Sequence, residues 1–133
     1  TNLSEGLAFL NRALRKKATV FVLSDFLDTG FELALRLANQ KHDIIALQLE
    51  DLSLSQLPKV GLLKIKDPET GKTQWLNTKS KRTQREWGRH YASHQKELIR
   101  SCKAAGVDLA MLPGHLDYIK PLKQLFRKRE MMR

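Results

Sequence analysis

The N-terminal part of the chain alternates between helix-like and strand-like spacing of its apolar residues. A first amphipathic helix is predicted by leucines four, three and four positions apart, Leu3, Leu7, Leu10 and Leu14. Asn2 and Glu5 have the spacing of a capping box at the start of this helix. The continuous apolar run from Thr19 to Leu23 then predicts a strand that is covered on both faces, as in a parallel sheet.

A second helix and a second strand follow in the same order. Thr29 and Glu32 form another capping-box pattern, which predicts that a helix begins there. The segment from Ile44 to Leu49 has the composition of a second buried strand. Because helices and strands alternate, we expect right-handed crossover connections and a parallel sheet.

The pattern changes after the second strand. A hairpin insertion is predicted over about residues 60–77, because two short apolar segments flank a turn sequence, Asp67 to Lys72, that contains proline and glycine. A long helix is expected from Lys81 to Ala105, with Gly106 as its C-cap.

A third strand and a last helix complete the alternation. Val107 to Leu112 predicts a strand, and Tyr118 to about Arg129 predicts a helix capped by Asp117. The predicted fold class is therefore α/β: a partial doubly wound parallel sheet with helices on both faces and an inserted β-hairpin.

The long helix has two distinct faces. At about 100° per residue, one face carries a mostly apolar stripe that we expect to pack on the sheet: Trp87, Tyr91, His94, Leu98, Cys102 and Ala105. The opposite face, called here the basic face of residues 82–103, carries six cationic residues: Arg82, Arg85, Arg89, Lys96, Arg100 and Lys103. The aromatic residues of this helix are therefore expected to point away from its charges.

Positive charge is concentrated in the C-terminal part of the chain. Residues 79–133 carry fourteen basic and five acidic residues, whereas residues 1–78 carry ten and nine, in a chain of 133 residues with a formal net charge of +10. This asymmetry indicates an acidic partner, which can be nucleic acid, an acidic protein or a membrane surface. The alternative is a solvated face that serves solubility.

Composition excludes several classes of protein. No run approaches ~18 consecutive apolar residues, so no membrane span is expected. The first residues lack the basic-then-apolar layout of a secretory signal, and a cytoplasmic location is expected. The single cysteine, Cys102, excludes an intrachain disulfide and a thiolate-rich zinc site. Its place on the apolar stripe predicts an inert thiol.

Asp25 is the first candidate for a functional residue. It follows a buried strand and precedes a helix, so its carboxylate is expected in the crevice beyond the carboxyl ends of the strands. There it can hold a hard cation or cap backbone amides. Asp25 and Asp28 are spaced Asp-x-x-Asp, not the Asp-x-Asp of a haloacid-dehalogenase nucleophile, which argues against that class of hydrolase. His115 is the one histidine in a position suited to a ligand, but no partner for it is evident.

Several segments, in order, resemble one bacterial family. They are Thr1-Asn2-Leu3, Val20 through Asp28, His42 through Leu47, Val60-Gly61-Leu62-Leu63, Asp67 through Gly71, and Gly106-Val107-Asp108. The family is the bacterial domain-of-unknown-function family fifty-eight, whose members contain a von Willebrand factor A-like domain. The resemblance covers essentially the whole chain. It implies that residues 1–133 are the C-terminal portion of a single von Willebrand factor A-like domain, with the hairpin as an insertion.

The resemblance also implies a metal-ion-dependent adhesion site. Thr1 matches the threonine of such a site, and Asp25 matches the aspartate that follows its fourth strand. The Asp-x-Ser-x-Ser segment of the first strand does not precede Thr1 in this sequence, so an incomplete site is implied. Mg²⁺ is then possible in the intact domain, and no tight binding is expected here. A lesser alternative for the metal site is a segment after the second strand that also fits Asp-x-Ser-x-Ser, formed by Asp51, Ser53 and Ser55. No helix is expected to follow this segment.

The leading hypothesis is a non-enzymatic protein-interaction module. For it the resemblance implies a MoxR-type AAA+ ATPase as partner and a metal-bridged acidic ligand as the mode of recognition. The alternative is a basic α/β module that binds nucleic acid through the basic face, mainly by phosphate contacts. The strand from Thr19 to Leu23 would also leave an apolar sheet edge open, so we expect the chain to dimerise or to swap elements through that edge.

Overall fold

Helices and strands alternate along the chain, and a hairpin interrupts them. The computed structural model describes residues 2–67, 70–114 and 117–132, without the side chains of Leu52 and Ser53. The elements in chain order are α1 (Leu3–Ala13), β1 (Thr19–Ser24), α2 (Glu32–Lys41), β2 (Asp43–Glu50), α3 (Leu52–Ser55), β3 (Leu62–Lys66), β4 (Thr73–Asn77), α4 (Lys81–Ala105), β5 (Asp108–Pro113) and α5 (Ile119–Met131). They form two units, here called the parallel unit (Thr1–Asp51 and Lys96–Arg133) and the hairpin unit (Leu52–Gln95).

The parallel unit is built on a three-stranded sheet. Its strands lie in the order β1-β2-β5 and run parallel. In this register Val22 pairs with Ala46, and Ala46 pairs with Leu109. The parallel sheet that the alternation of elements predicts is therefore confirmed. The prediction that β1 is covered on both faces is wrong, because Phe21 and Leu23 on one of its faces are 45% and 58% exposed.

The central strand β2 is buried on both faces. Ile44 and Ala46 belong to the core on one face of the sheet, and Ile45 and Leu47 belong to the core on the other, because successive side chains of a strand alternate. All four are at most 5% exposed. This double burial explains why the segment is continuously apolar, since an alternating pattern would place polar side chains inside one of the two cores.

Helices cover both faces of the sheet. On the first face, Leu7 of α1, Leu35 of α2 and Cys102 of α4 are buried together. On the second face, Leu122 and Leu125 of α5 pack against β2 and β5. Burying one such leucine contributes about 1.5–3 kcal/mol. The predicted α/β class, with helices on both faces of a parallel sheet and an inserted hairpin, is confirmed.

The hairpin unit contains an antiparallel pair of strands, β3 and β4, in which Lys64 lies opposite Trp75. The fully buried Thr78 closes the base of this hairpin. Its Oγ1 donates to the carbonyl of Gly61 at 2.7 Å and accepts from the backbone N–H groups of Val60 and Gly61 at 3.0 and 2.9 Å. The predicted turn between the strands includes residues 68 and 69, which lie outside the described ranges.

Two helix ends agree with the sequence-based expectation, and a third agrees in part. The side chain of Asn2 caps α1 by accepting from the N–H of Glu5 at 3.1 Å. Gly106 follows α4 with a φ of +70°, the left-handed conformation that a helix C-cap requires. α5 begins at Ile119, one residue later than predicted, and its N-cap is Tyr118, but Asp117 does accept the N–H of Ile119 at 2.9 Å.

The predicted cap of α2 is wrong. The helix begins at Glu32, and its N-cap is Phe31, which makes no side-chain hydrogen bond, rather than Thr29. The reason is the intervening Gly30, which adopts a left-handed conformation with a φ of +74°. The chain therefore still turns at Gly30, before the helix begins. Thr29 and Glu32 have the spacing of a capping box, but Thr29 does not occupy the N-cap position.

Asn39, near the end of α2, links three parts of the parallel unit. Its Nδ2 donates to the carbonyls of Ala105 and Gly106, each at 3.0 Å. Its Oδ1 accepts from the backbone N–H of Ile44 at 3.0 Å. One side chain thus connects the ends of α2 and α4 with the start of β2.

Arg129 joins α5 to the amino ends of two strands. Its guanidinium forms ion pairs with Asp43 at the start of β2 and with Asp108 at the start of β5. The Arg129 side chain is 20% exposed and the two carboxylates 32% and 31%, so these pairs are partly shielded from water. The hydrogen bond from Arg129 holds the pKa of Asp43 below its usual value, although burial opposes this effect.

Candidate functional site

The carboxyl ends of the three parallel strands form one edge of the sheet, called here the carboxyl rim. β1 ends at Ser24, which pairs with Gln48 of β2, and Gln48 pairs with Met111 of β5. Asp25 is the next residue after β1 and lies at this rim. Open α/β sheets bind their ligands at such an edge.

Asp25 is exposed, whereas the next residue, Phe26, is turned into the core by its backbone conformation. Phe26 has a left-handed conformation, with a φ of +54°, which costs about 1–2 kcal/mol for a residue with a Cβ. Its side chain is 1% exposed and lies 5.8 Å from the ring of Phe31, so its burial offsets this strain. Ser24 Oγ accepts from the N–H of Phe26 at 3.0 Å, and Asp25 Oδ1 accepts from the N–H of Leu27 at 3.2 Å. These bonds fix the turn that presents the Asp25 carboxylate.

Asp28 has a structural role instead. Its Oδ2 accepts from the N–H of Leu3 at 2.8 Å, and its Oδ1 accepts from the N–H of Thr29 at 2.9 Å. Leu3 is the first residue of α1, so Asp28 caps a helix that is distant in sequence, where a negative charge is also favoured by the helix dipole. The two aspartates of this loop are therefore not equivalent.

Gln48 brings a buried polar group to the same rim. Its side chain is 3% exposed, and Nε2 donates a long hydrogen bond, 3.5 Å, to the carbonyl of Asp25. That carbonyl accepts only, so the amide nitrogen must face it, and Oε1 remains buried without a hydrogen-bond partner among the described residues. An unpaired buried acceptor costs about 1–3 kcal/mol. A bound cation or a donor at the rim would offset this cost.

Asp25 and Gln48 both bring side-chain oxygens to the rim. A carboxylate oxygen from Asp25 and the amide oxygen of Gln48 are both of the kind that Mg²⁺ binds, with its other positions filled by water or ligand. Within the described ranges, no group of three His, Cys, Asp or Glu residues could hold a metal ion. Thr1, the threonine that the resemblance assigns to an adhesion site, and His115 both lie outside the described residues.

The other Asp-x-Ser-x-Ser segment forms a helical turn. α3 begins directly after Asp51, so the expectation that no helix follows this aspartate is wrong. A helix of four residues is too short to show a periodic pattern. Asp51 is exposed and Ser55 half-buried, but they belong to different units, and the side chain of Ser53 is not described. A metal role for these three residues stays a prediction.

All six cationic residues of the basic face are exposed. Two of them form exposed ion pairs within α4, Arg82 with Glu86 at 3.0 Å and Arg100 with Glu97 at 2.7 Å. Such pairs are worth less than about 1 kcal/mol, so they do not prevent an arginine from turning to another anion. In the hairpin unit, three arginines and Glu86 line a shallow depression: Arg82, Arg85 and Arg89. Over the described part of the chain, no helix combines the length and the apolar character needed to cross a bilayer.

The apolar stripe of α4 divides between the two units. Leu98, Cys102 and Ala105 belong to the core on the parallel sheet, as predicted. Trp87 belongs to the hairpin unit, where its Nε1 donates to the carbonyl of Leu54 at 2.7 Å. Cys102 is 1% exposed, and burial raises the pKa of its thiol to about 11. Because the thiolate is the reactive form, this agrees with the predicted inert thiol.

The hairpin presents an aromatic residue beside a lysine, which the sequence patterns did not indicate. Trp75 is 65% exposed, and the Nζ of Lys64 lies 6.0 Å from its ring centroid, at the limit of a cation–π contact. The contact could have been foreseen only from the pairing register of the hairpin, because residues directly opposite in an antiparallel pair share one face. An exposed aromatic ring next to a positive charge therefore exists outside the basic face.

Replacing Gln48 with methionine is expected to raise the free energy of unfolding by about 1 kcal/mol. The two side chains have similar length, and the change removes a buried oxygen that has no hydrogen-bond partner among the described residues, at the loss of only the long bond from Nε2 to the carbonyl of Asp25. Urea denaturation measures the difference, with Gln40→Met as the control, because Gln40 is an exposed amide on α2. A loss of stability in Gln48→Met, with no change in the control, would mean that Oε1 is already paired.

The fold and the rim define an α/β module with a parallel sheet, an exposed carboxylate at its carboxyl rim and an inserted hairpin. The chain belongs to the family described as "Protein of unknown function DUF58", which matches residues 1–97. The family resemblance of the sequence is thereby confirmed. The chain is also similar to the uncharacterized protein MAV169 of Mycobacterium avium, at 22% identity over 129 residues, which are 96% of this chain and 76% of that protein. No solved structure matches the chain.

Proposed function

We propose that this chain is a non-enzymatic protein-interaction module of von Willebrand factor A type. In this proposal it recognises an acidic ligand through a divalent cation at the carboxyl rim. Two observations carry it: the exposed carboxylate of Asp25, and the buried Oε1 of Gln48, which has no hydrogen-bond partner among the described residues although Nε2 donates to the backbone carbonyl of Asp25. A buried acceptor of this kind favours a cation or a donor at the rim, because leaving it unpaired costs free energy.

Asp25 and Gln48 would hold the cation. When bound, Mg²⁺ would supply a bridge between the chain and a carboxylate of the partner. The Asp25 carboxylate is already oriented by the N–H of Leu27, so less conformational freedom is lost on binding. With one carboxylate from the described residues, affinity for the cation alone is expected to be low, and the acidic ligand would complete the site.

A MoxR-type AAA+ ATPase is the proposed partner, and this part of the proposal rests on the family resemblance. An acidic side chain of the ATPase would be the ligand. The exposed basic face would attract an acidic partner over a longer range and raise the association rate.

A binding titration against a purified MoxR-type ATPase, in Mg²⁺ and in EDTA, tests the proposal. Asp25→Asn keeps an acceptor for the N–H of Leu27 and removes the negative charge. We expect it to weaken binding by about tenfold or more, or ~1.4 kcal/mol, and to abolish the dependence on Mg²⁺. Asp117→Asn is the matched control, because Asp117 is also exposed and accepts the N–H two residues ahead, that of Ile119.

The control variant should bind as the unchanged chain does. Equal binding in Mg²⁺ and in EDTA would contradict recognition through a cation. Equal weakening by both variants would also contradict it, because the effect would then follow charge in general and not the Asp25 carboxylate.

Nucleic-acid binding is the second candidate function, and the exposed Trp75 beside Lys64 is the observation that favours it. Bases of single strands stack on exposed aromatic rings while nearby cations contact phosphates. Random-sequence single-stranded DNA in the same titration separates the two candidates. Binding that falls steeply with salt and is insensitive to Asp25→Asn would favour this second function, whereas no binding at low salt would eliminate it.

A further inference from the structure

The hairpin of β3 and β4 presents one of its two faces to solvent. Residues of β3 are alternately exposed and half-buried, and residues directly opposite each other in the antiparallel pair share a face. The half-buried face carries Leu63, Ile65 and Leu76. The other face, called here the exposed face of the hairpin, consists of six exposed residues: Leu62, Lys64, Lys66, Thr73, Trp75 and Asn77.

Two large apolar side chains stand on this exposed face. Leu62 is 70% exposed and Trp75 is 65% exposed. Because Leu62 pairs with Asn77, Trp75 is its diagonal neighbour on the same face, within reach of an aromatic ring. Val60, two residues before β3, is also 62% exposed. Neighbouring apolar side chains that are exposed to this degree favour an interaction surface.

The charges on and around the exposed face are positive. Lys64 and Lys66 belong to it, none of its six residues is acidic, and the Nζ of Lys64 lies 6.0 Å from the ring centroid of Trp75. Residues 59–79 carry five lysines against two acidic residues. The surface therefore combines apolar side chains with cations, and a complementary partner has an apolar layer beside negative charge.

We propose that the exposed face of the hairpin binds the surface of an anionic lipid bilayer. The ring of Trp75 lies at the boundary between headgroups and acyl chains, the position that amphipathic aromatic rings prefer. Leu62 enters the apolar side of this boundary, and the ammonium groups of Lys64 and Lys66 stay among the negatively charged headgroups. Such binding is peripheral and needs no membrane-spanning helix.

The aliphatic side chain of Leu62 favours a bilayer over nucleic acid as the partner. Bases stack on aromatic rings, but a leucine that is 70% exposed leaves water more completely in lipid than against bases and phosphates. The surface lies in the hairpin unit and does not use Asp25, so recognition through a cation at the carboxyl rim is a separate activity. It is also independent of β1, beside which the resemblance places the first strand of the family domain.

Co-sedimentation of the chain with lipid vesicles tests the proposal. The chain should bind vesicles of phosphatidylcholine with about one-third phosphatidylglycerol, should not bind phosphatidylcholine alone, and should dissociate as salt rises. Lys64→Glu should weaken binding by about tenfold, because an attraction to the headgroups becomes a repulsion. Lys123→Glu is the matched control, since it changes the net charge equally at an exposed lysine of α5, and its effect should be less than about twofold.

Substitutions of Trp75 test whether apolar contact contributes besides charge. Trp75→Ser should weaken vesicle binding by about tenfold, whereas Phe9→Ser, at an aromatic residue of α1 that is also 65% exposed, should not weaken it. The tryptophan emission should shift to shorter wavelength on binding, because the Trp75 ring leaves water. Trp75→Phe should still bind but lack this shift, since the remaining Trp87 is half-buried and already donates to the carbonyl of Leu54.

The proposal fails if the chain binds neither kind of vesicle or both equally, or if Lys64→Glu and Lys123→Glu bind alike. Binding without a shift of the tryptophan emission also contradicts it, because charge alone would then hold the chain at the vesicles. Random-sequence single-stranded DNA is titrated in parallel: if DNA binds through Trp75 and vesicles do not bind, the surface belongs to the second candidate function. Circular dichroism verifies the fold of each variant, and none of these outcomes bears on the Asp25 titration.

Discussion

Replacing Arg129 with alanine will lower the free energy of unfolding by about 3 kcal/mol at neutral pH, because the change leaves two partly buried carboxylates without their cation. Arg129 of α5 forms ion pairs with Asp43 at the amino end of β2 and with Asp108 at the amino end of β5. Urea denaturation of the two proteins gives the difference directly. The matched control is Arg127→Ala, at an exposed arginine of the same helix, for which we expect a change within about 0.5 kcal/mol.

The effect of the Arg129 substitution should also depend on pH. The pKa of Asp43 is lowered in the folded chain, chiefly by the hydrogen bond from Arg129. A carboxyl group of this kind contributes stability above its unfolded pKa, about 3.9, and loses it as the pH falls through the folded value. The difference between the unchanged chain and Arg129→Ala should therefore be full at pH 7 and shrink below about pH 4. A difference that stays constant down to pH 2 would contradict an ionic origin.

Asn39→Ala is expected to destabilise the parallel unit by about 2 kcal/mol. The variant loses three hydrogen bonds, to Ile44, Ala105 and Gly106. The bonds to Ile44 and Ala105 are partly buried, so their backbone groups are left unpaired at a cost of about 1 kcal/mol each, whereas water can replace the exposed bond to Gly106. Thermal and chemical denaturation measure the loss.

Gln40→Ala, at the next residue of α2, is the control for the Asn39 substitution. Gln40 also has an amide side chain in the same helix, but it is exposed. We expect its replacement to change stability by less than about 0.5 kcal/mol. If both alanine variants were equally unstable, the loss would come from α2 itself and not from the links to β2 and α4.

The parallel sheet was predictable because its central strand β2 is buried on both faces, and burial on both faces forces a continuous apolar run. The apolar run ending at Leu23 also marks β1 within one residue, although one face of β1 is exposed. The bounds of α4, Lys81–Ala105, are those that the sequence predicted, because 25 residues give a long two-sided pattern and Gly106 gives a clear stop. The four-residue α3 was not predictable because it is too short to show a periodic pattern.

The start of α2 was mispredicted because the capping-box pattern specifies only the spacing of two residues, whereas a real cap also requires a particular backbone conformation. Thr29 and Glu32 have the spacing, but the left-handed Gly30 lies between them and the helix begins after it. A sequence pattern of four letters contains no information on the backbone turn that the preceding loop requires. In this loop the Asp28 carboxylate accepts the N–H of Leu3 at the start of α1, and this contact fixes the position of the loop before Gly30.

The candidate site was predictable only in part. Asp25 could be placed at the rim because it directly follows a strand. Gln48 was not indicated, since one amide within an apolar run has no distinctive pattern. That its Oε1 has no partner in the described part of the chain depends on the carbonyl of Asp25, to which the amide nitrogen must donate. The contact of Lys64 with Trp75 likewise depends on a cross-strand register that the sequence leaves open.

The double burial of β2 has a consequence for how this chain tolerates change. Ala46 and Leu47 are adjacent in sequence, yet each contributes to a different cluster, one with Leu98 and the other with Leu125. A volume change at Leu47 is therefore compensated from α5 and not from the helices on the far side of the sheet. The strand separates the two cores, so we expect substitutions in one core and in the other to have additive effects on stability.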